Sequence, residues 1–288
     1  MKKIIAKAFA NKFIIILCTA ILYLFVAQSC VRMRMSAEKT ASFFKKANVP
    51  FIDKIINFKN YNIHYIESGE QSKRIIIFVH GSPGSWDAYK MYLTDSLLLK
   101  EFRIIAVDRP GFGYSNFGFA QNLNIQTSRI VAFIDSLDIK KPITIVGHSL
   151  GGPLVLSMAA ARPKQFEHVV VLSGAVDPNL ESPEMWRPIL MVKPIRYLIP
   201  GALRPSNDEL WWLKNDLINL KPNLSKIQST VTVIHGSKDR LVPYANVKFM
   251  QLNLTGTKKT EILTLKNADH FIPWTHFEII RNKLLNLQ

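Results

Sequence analysis

The chain has 288 residues, 48% of them apolar, enough for one large α/β domain and too apolar for wholesale disorder. Its formal charge is +16, but half of that sits in residues 1–49, where nine Lys/Arg meet the single acid Glu38. A basic flank on an apolar segment fits an anionic membrane surface, and without a basic stripe interleaved with aromatics nucleic acid is excluded as a partner.

Near the N-terminus, Phe13 to Val31 (FIIILCTAILYLFVAQSCV) holds no charge over 19 residues, just long enough for a membrane helix. The Lys-rich start before it suits an uncleaved anchor, a cleaved signal peptide and a lipoprotein signal alike. The stretch VAQSC resembles a bacterial lipobox with Cys30 as the acylated cysteine. Ser29 fits the position before it, whereas Ala27 stands where leucine is usual and Arg32 and Arg34 follow closely. The expectation is a membrane-associated chain, held through Cys30 or by one span within residues 1–31, with the domain exported. Lys and Arg on both sides leave the orientation open. Cys18 and Cys30 are the only cysteines, so the rest of the chain uses neither a disulfide nor a thiolate metal site.

Residues 32–50 read as a polar tether with a short amphipathic piece, ASFFKKANVPF, and residues 51–288 as the folded domain. KIINF and YNIHYIES are strands joined at Lys59-Asn60. RIIIFVHG is a continuous apolar run, expected of a strand buried on both faces. SWDAYKMYLTDSLLLK has helical spacing, FRIIAVDRPGFG is strand then loop, and NIQTSRIVAFIDSLDI is a helix. PITIVGHS is a strand, LGGPLVLSMAAARP a helix, and HVVVLSGAVD, TVTVIHGSKD and EILTLKNADH supply three more strands. FIPWTHFEIIRNKLLNL closes the chain as an amphipathic helix. This alternation predicts an α/β fold: a mostly parallel central sheet with helices on both faces and an antiparallel edge from the two early strands. Residues 178–228 show no strand, and the interval reads as a small helical lid, with a capping-box start at Ser206 and Glu209.

Five stretches sit at predicted strand ends. Gly-His-Ser-Leu-Gly places Ser149 between strand and helix with Gly147 and Gly151 two residues away on either side. Such a turn forces the serine into a strained conformation and brings strand and helix too close for side chains at the glycines. HGSPGSW begins at His80, DRPGFGYS at Asp108, HGSKDRLVP holds Asp239 and KNADHFIP holds His270. A serine hydroxyl needs a base to attack a carbonyl, and the base needs a carboxylate to fix its tautomer. The order Ser149, Asp239, His270 supplies all three. Asp177, after the preceding strand, is the rival acid. A dinucleotide fingerprint would need a third glycine where Asn116 stands, so that reading is disfavoured. Asp108 and Arg109 read as structural, as a candidate pair. His148 reads as shaping the pocket, His276 as part of the last helix, and His64 and His235 as strand residues. No His-Glu-x-x-His, Cys cluster or phosphate-binding loop appears, so the reading requires neither metal nor cofactor.

With these motifs, residues 50–288 resemble the α/β-hydrolase family. The resemblance implies an oxyanion hole from the N–H of Ser82, after His-Gly, and the N–H of Leu150, after the serine. It implies a serine hydrolase of the esterase/lipase-like branch, with a nucleophile elbow and an acyl-enzyme. The aromatic and aliphatic lid suggests carboxylic esters, a small-molecule substrate with an apolar acyl or alcohol group. Alternatives are hydrolysis of a carbon–carbon bond with the same triad, an aminopeptidase, and a catalytically silent binding protein. Ser82 and Leu150 depart from the His-Gly-Gly-Pro-Gly and the Trp after the serine that proline-iminopeptidase relatives carry, which disfavours the peptidase.

Overall fold

The computed structural model describes residues 2–287; the side chains of residues 2–10 and of Cys30, the candidate acylation site, lie outside the described set. The strands are β1 (Phe51–Asn57), β2 (Asn62–Ser68), β3 (Arg74–Val79), β4 (Phe102–Val107), β5 (Ile143–His148), β6 (Phe166–Leu172), β7 (Thr230–Gly236) and β8 (Lys259–Leu265). They form one sheet in the order β1-β2-β4-β3-β5-β6-β7-β8. The β1–β2 and β2–β4 pairs are antiparallel, and the remaining pairs are parallel. The helices are α1 (Lys2–Cys30), α2 (Ala37–Ala47), α3 (Lys90–Leu93), α4 (Ser96–Glu101), α5 (Leu123–Ser136), α6 (Gly151–Ala161), α7 (Arg187–Met191), α8 (Leu203–Leu220), α9 (Ala245–Asn253), α10 (Ile272–Thr275) and α11 (Phe277–Leu285).

The continuous apolar strands follow from having two covered faces. Successive strand residues point to opposite sides. In β3, Ile75, Ile77 and Val79 join the core under α5, α6, α8 and α9. Ile76 and Phe78 join the other core, under Trp86, Tyr89, α4 and α11. The stretch SWDAYKMYLTDSLLLK is a 3₁₀ turn followed by α3 and α4, and the closing helix is broken at His276. Residues 32–50 are more than a polar tether: in α2, Phe44 is fully buried and stacks on Phe51 at 4.3 Å, so this stretch is part of the second core.

Between β6 and β7 the chain runs through two 3₁₀ turns, α7, α8 and a further 3₁₀ turn. Ser206 and Glu209 do not cap α8, which starts earlier, with Ala202 at its N-cap. Both side chains face inward instead, into the contacts described below.

Asp108 and Arg109 are both paired, but not with each other. Asp108 accepts from the Trp86 and Tyr114 N–H groups at 2.7 and 2.8 Å and bonds His64 Nδ1 at 2.7 Å. His64 Nε2 meets Asp53 Oδ1 at 2.9 Å, tying β1 to β2 and to the loop after β4. Burial pushes the His64 imidazole pKa down, but the bonds to Asp108 and Asp53 outweigh it and the net shift is upward. This contribution to stability is complete below an unfolded-state value of about 6.5 and is lost as pH rises through the higher folded-state value. His64→Gln should therefore lower the melting temperature by about 2–4 °C in mildly acidic buffer. The gap to wild type should narrow as pH is raised, as read by thermal denaturation; a gap that widens with pH contradicts the assignment.

Candidate active site

The site is built on a close approach of backbones. β5 ends at His148 and α6 starts at Gly151, which leaves Ser149 and Leu150 to turn the chain. Ser149 has φ +54°, in the left-handed region that costs a non-glycine residue about 1–3 kcal/mol. Its N–H donates to the Leu172 carbonyl at 3.0 Å, and its carbonyl accepts from Gly152 at 2.9 Å, so the turn is pinned from both sides. A Cβ on Gly147 would stand 2.1 Å from the Gly151 oxygen. One on Gly151 would stand 2.4 Å from the Val79 oxygen and 2.8 Å from that of His80. The neighbouring atoms are backbone and cannot swing away, so both positions require glycine.

The loop after β3 is held as firmly. His80 is fully buried, accepts from the Arg109 N–H through Nε2 at 3.0 Å, and lies 2.7 Å from the Gly81 carbonyl through Nδ1. Burial and then the nearby Arg109 charge hold its pKa well below the usual histidine value, so it is neutral, with one nitrogen donating and one accepting. Arg109, 1% exposed, donates to Gly81 O at 2.9 Å, to Gln126 at 2.9 Å and, through both terminal nitrogens, to Glu209 on α8 at 2.8 and 2.9 Å. Ser82 Oγ donates to Ser206 Oγ, also on α8, at 2.9 Å. The lid helix and the loop carrying Ser82 are thus one hydrogen-bonded unit. Among the described residues neither the Ser82 N–H nor the Leu150 N–H donates to a protein acceptor, and both residues line the same cavity.

His270 Nδ1 lies 2.7 Å from Asp239 Oδ2. The other carboxylate oxygen of Asp239 accepts from the Leu241 and Val242 N–H groups at 2.9 and 2.8 Å. Burial alone would raise the Asp239 pKa; the bonds from His270 and Val242 outweigh it and hold it below the usual carboxylate range. Asp177 is engaged elsewhere: its side chain accepts from the Asn179 N–H at 2.9 Å and caps its own turn. His148 Nε2 donates to the His270 carbonyl at 2.9 Å, and the two rings lie 4.7 Å apart. Burial, then repulsion from His270, pushes His148 down to about 3, so it stays neutral. His276 bonds Thr275 Oγ1 at the broken end of the last helix, away from this cluster.

Ser149, His270, Ser82 and Leu150 line a cavity of about 950 Å³, walled by Leu210 and Leu213 of the lid and by Trp274. Met33 and Arg34, from the segment after α1, complete it. Arg34 stacks on Tyr114 at 3.8 Å and donates to the Gly113 carbonyl. The sequence reading missed Arg34 and Glu209 as site neighbours. Nothing in local pattern links either to the cavity, since Arg34 lies 115 residues before Ser149 and Glu209 lies 60 after it, and Glu209 also carries a competing capping signal. Among the described residues no cluster of His, Cys, Asp and Glu could hold a metal ion.

Two family profiles match the chain: the alpha/beta hydrolase fold over residues 74–197 and the prolyl oligopeptidase family over residues 138–283. A cis-3-alkyl-4-alkyloxetan-2-one decarboxylase of Shewanella oneidensis is 30% identical over 43% of this chain, but that match spans only 39% of the enzyme's length. A 2-hydroxy-6-oxononadienedioate/2-hydroxy-6-oxononatrienedioate hydrolase of Escherichia coli is 23% identical, over 79% of this chain and 91% of its own. Among solved structures, a bacterial membrane phospholipase A superposes with a TM-score of 0.62 at 17% identity, covering 98% of this chain and all of its own; at that identity the likeness shows the fold.

The Arg109–Glu209 pair has a measurable signature. Removing one partner leaves a buried charge uncompensated, so Glu209→Leu should destabilise the protein by about 3–5 kcal/mol. Arg109→Met combined with Glu209→Leu should lose less than the single Glu209→Leu change, as read by chemical denaturation. Additive losses would show that the two side chains do not act as a pair.

Proposed function

The chain belongs to the α/β-hydrolase fold family and is a hydrolase, and on that footing we propose that it cleaves carboxylic esters through Ser149, His270 and Asp239. The observation that carries this reading is the 2.7 Å bond between His270 and an Asp239 whose second oxygen is fixed by two backbone N–H groups, in the cavity that Ser149 also lines. The ionised carboxylate accepts from Nδ1–H, which leaves Nε2 as the basic nitrogen. Ser149 Oγ attacks the ester carbonyl as its proton passes to His270. The carbonyl oxygen takes the negative charge and accepts from the N–H groups of Ser82 and Leu150, which have no competing acceptor among the described residues. Collapse of the tetrahedral intermediate breaks the ester bond, and His270 protonates the departing alkoxide. Water, deprotonated by His270, then attacks the acyl-enzyme and frees the acid and the serine. Leu150, Leu210, Leu213, Leu241 and Val242 around the cavity favour an apolar acyl or alcohol group.

The same reading holds the enzyme at a membrane. Asn11–Ser29 of α1 is long and apolar enough to cross one. Its Tyr23, Ala27 and Gln28 bond the lid, which favours a retained span over a cleaved leader or a lipoprotein cut at Cys30. The intact mass of the membrane-extracted protein should therefore include residues 2–29; a chain beginning at an acylated Cys30 overturns this point.

Wild type should react with a fluorophosphonate probe and turn over aliphatic esters, and Ser149→Ala should do neither. Asp239→Asn should lower kcat by about 10⁴-fold, and Asp177→Asn by less than about tenfold. Labelling that persists in Ser149→Ala removes the nucleophile assignment, and equal losses in the two Asp variants remove that of the acid. Turnover of a dienone-type diketone in preference to esters would move the reading to carbon–carbon hydrolysis, the class of the E. coli relative.

A further inference from the structure

The N-terminal helix and the lid are joined by hydrogen bonds at a depth that constrains both. Tyr23 Oη donates to the Leu198 carbonyl at 2.7 Å. Gln28 Nε2 donates to the Tyr197 carbonyl at 2.7 Å and to that of Ile199 at 3.3 Å. The Gly201 and Ala202 N–H groups donate to the carbonyls of Ala27 at 2.9 Å and Val31 at 2.7 Å. Tyr23 lies six residues before the end of the apolar stretch Asn11–Ser29. At 1.5 Å per residue that is about 9 Å inside the stretch, and helical side chains tilt further toward the N-terminus. A helix that spans a bilayer therefore takes Leu198 below the level of its own exit. The lid turn cannot remain in water while these bonds hold.

The turn has the surface such a position needs. Val192 and Leu198 are 58% and 52% exposed, and Ile189, Tyr197 and Leu203 are exposed beside them. Its carbonyls at 197–199 are engaged by Tyr23 and Gln28, which suits a medium poor in water. Lys193 on the turn and Arg32 after α1 are exposed cations, matched to anionic headgroups. Exposed apolar side chains, a tyrosine and flanking cations are the make-up of a segment lying in a membrane interface. The catalytic cavity opens alongside: Met33 and Arg34, just beyond the helix, and Arg187 of α7 line it together with Ser149.

We propose that the lid turn from Ile189 to Leu203 is a second membrane contact, seated in the lipid interface beside α1, and that the cavity takes a lipid-borne ester directly from that surface. The substrate half rests on the hydrolase reading above; the contact half does not. Bimane labels at Val192→Cys, Leu198→Cys and, as control, the exposed Lys140→Cys before the N-terminal end of β5, test the contact in full-length protein carrying Cys18→Ala and Cys30→Ala. In vesicles of phosphatidylcholine and phosphatidylglycerol, brominated acyl chains should quench the labels at 192 and 198 on the order of threefold more than the label at 140. Equal quenching at all three overturns the contact. For the substrate, Val192→Glu with Leu198→Glu should cut hydrolysis of a long-chain ester held in vesicles by about tenfold and leave a soluble short-chain ester unchanged. Equal effects on both esters overturn delivery from the lipid. Quenched labels at 192 and 198, together with a wild-type protein that hydrolyses neither ester, would sink the hydrolase reading and leave the contact standing.

Discussion

The architecture depends on the approach of α6 to β3 and β5 at van der Waals distance of backbone from backbone. At Gly147 and Gly151 there is no Cβ to hold the elements apart. That absence lets the turn be tight enough to set Ser149 at positive φ. Strain of that size persists only where surrounding structure over-determines it. Here the Ser149 N–H is bonded to the end of β6 and its carbonyl to the first turn of α6, so relaxing the serine would break contacts in two elements. The same approach puts the end of β3, and with it Ser82, beside the serine.

A second constraint runs through buried charge. The two terminal nitrogens of Arg109 are met by Glu209, Gln126 and the Gly81 carbonyl in bidentate, charge-assisted hydrogen bonds, while its buried Nε has no partner among the described residues. Such a pair adds little net stability over a well-packed apolar alternative. What it gives is registry: α8 can sit against the loop after β3 in one position only, because any shift leaves a full charge unpaired in the interior. Ser82 to Ser206 repeats the connection without charge. The position of the lid and the geometry proposed for the oxyanion are therefore not independent, and a change in one would be felt in the other.

How much of this was legible in the sequence depended on range. The alternation of strands and helices, the turn at Ser149 and the strand-end positions of Asp239 and His270 follow from period-two and period-3.6 patterning with glycine punctuation, all of it local; the strand order does not. The antiparallel edge was legible for the same reason. Residues 32–50 read as a tether because a single amphipathic turn, with Lys45 and Lys46 beside Phe43 and Phe44, is equally consistent with solvent; only the aromatic surface of Phe51 and Trp86 decides that Phe44 is core. Ser206 and Glu209 matched a capping box because the spacing is that of a cap. Long-range partners, Ser82 and Arg109, claimed both side chains instead. Pairings across 100 residues, such as Arg109 with Glu209, leave no local trace.

The histidines around the proposed base show why burial serves the chemistry. His148, His80 and His235 all lie within the site's neighbourhood, and burial is the first cause lowering the pKa of each. Each spends one ring nitrogen on a backbone carbonyl, of His270, Gly81 and Val242 respectively. Neutral imidazoles in this role hold loops without adding positive charge. In the proposed reaction His270 becomes cationic in a poorly solvated pocket, and a second imidazolium 4.7 Å away at His148 would oppose that step directly. The counter-charge present is the Asp239 carboxylate, kept ionised by its own hydrogen bonds. Of these imidazoles, His270 is the one whose ring is bonded to that carboxylate, at 2.7 Å, which is the arrangement the proposed reaction asks of its base.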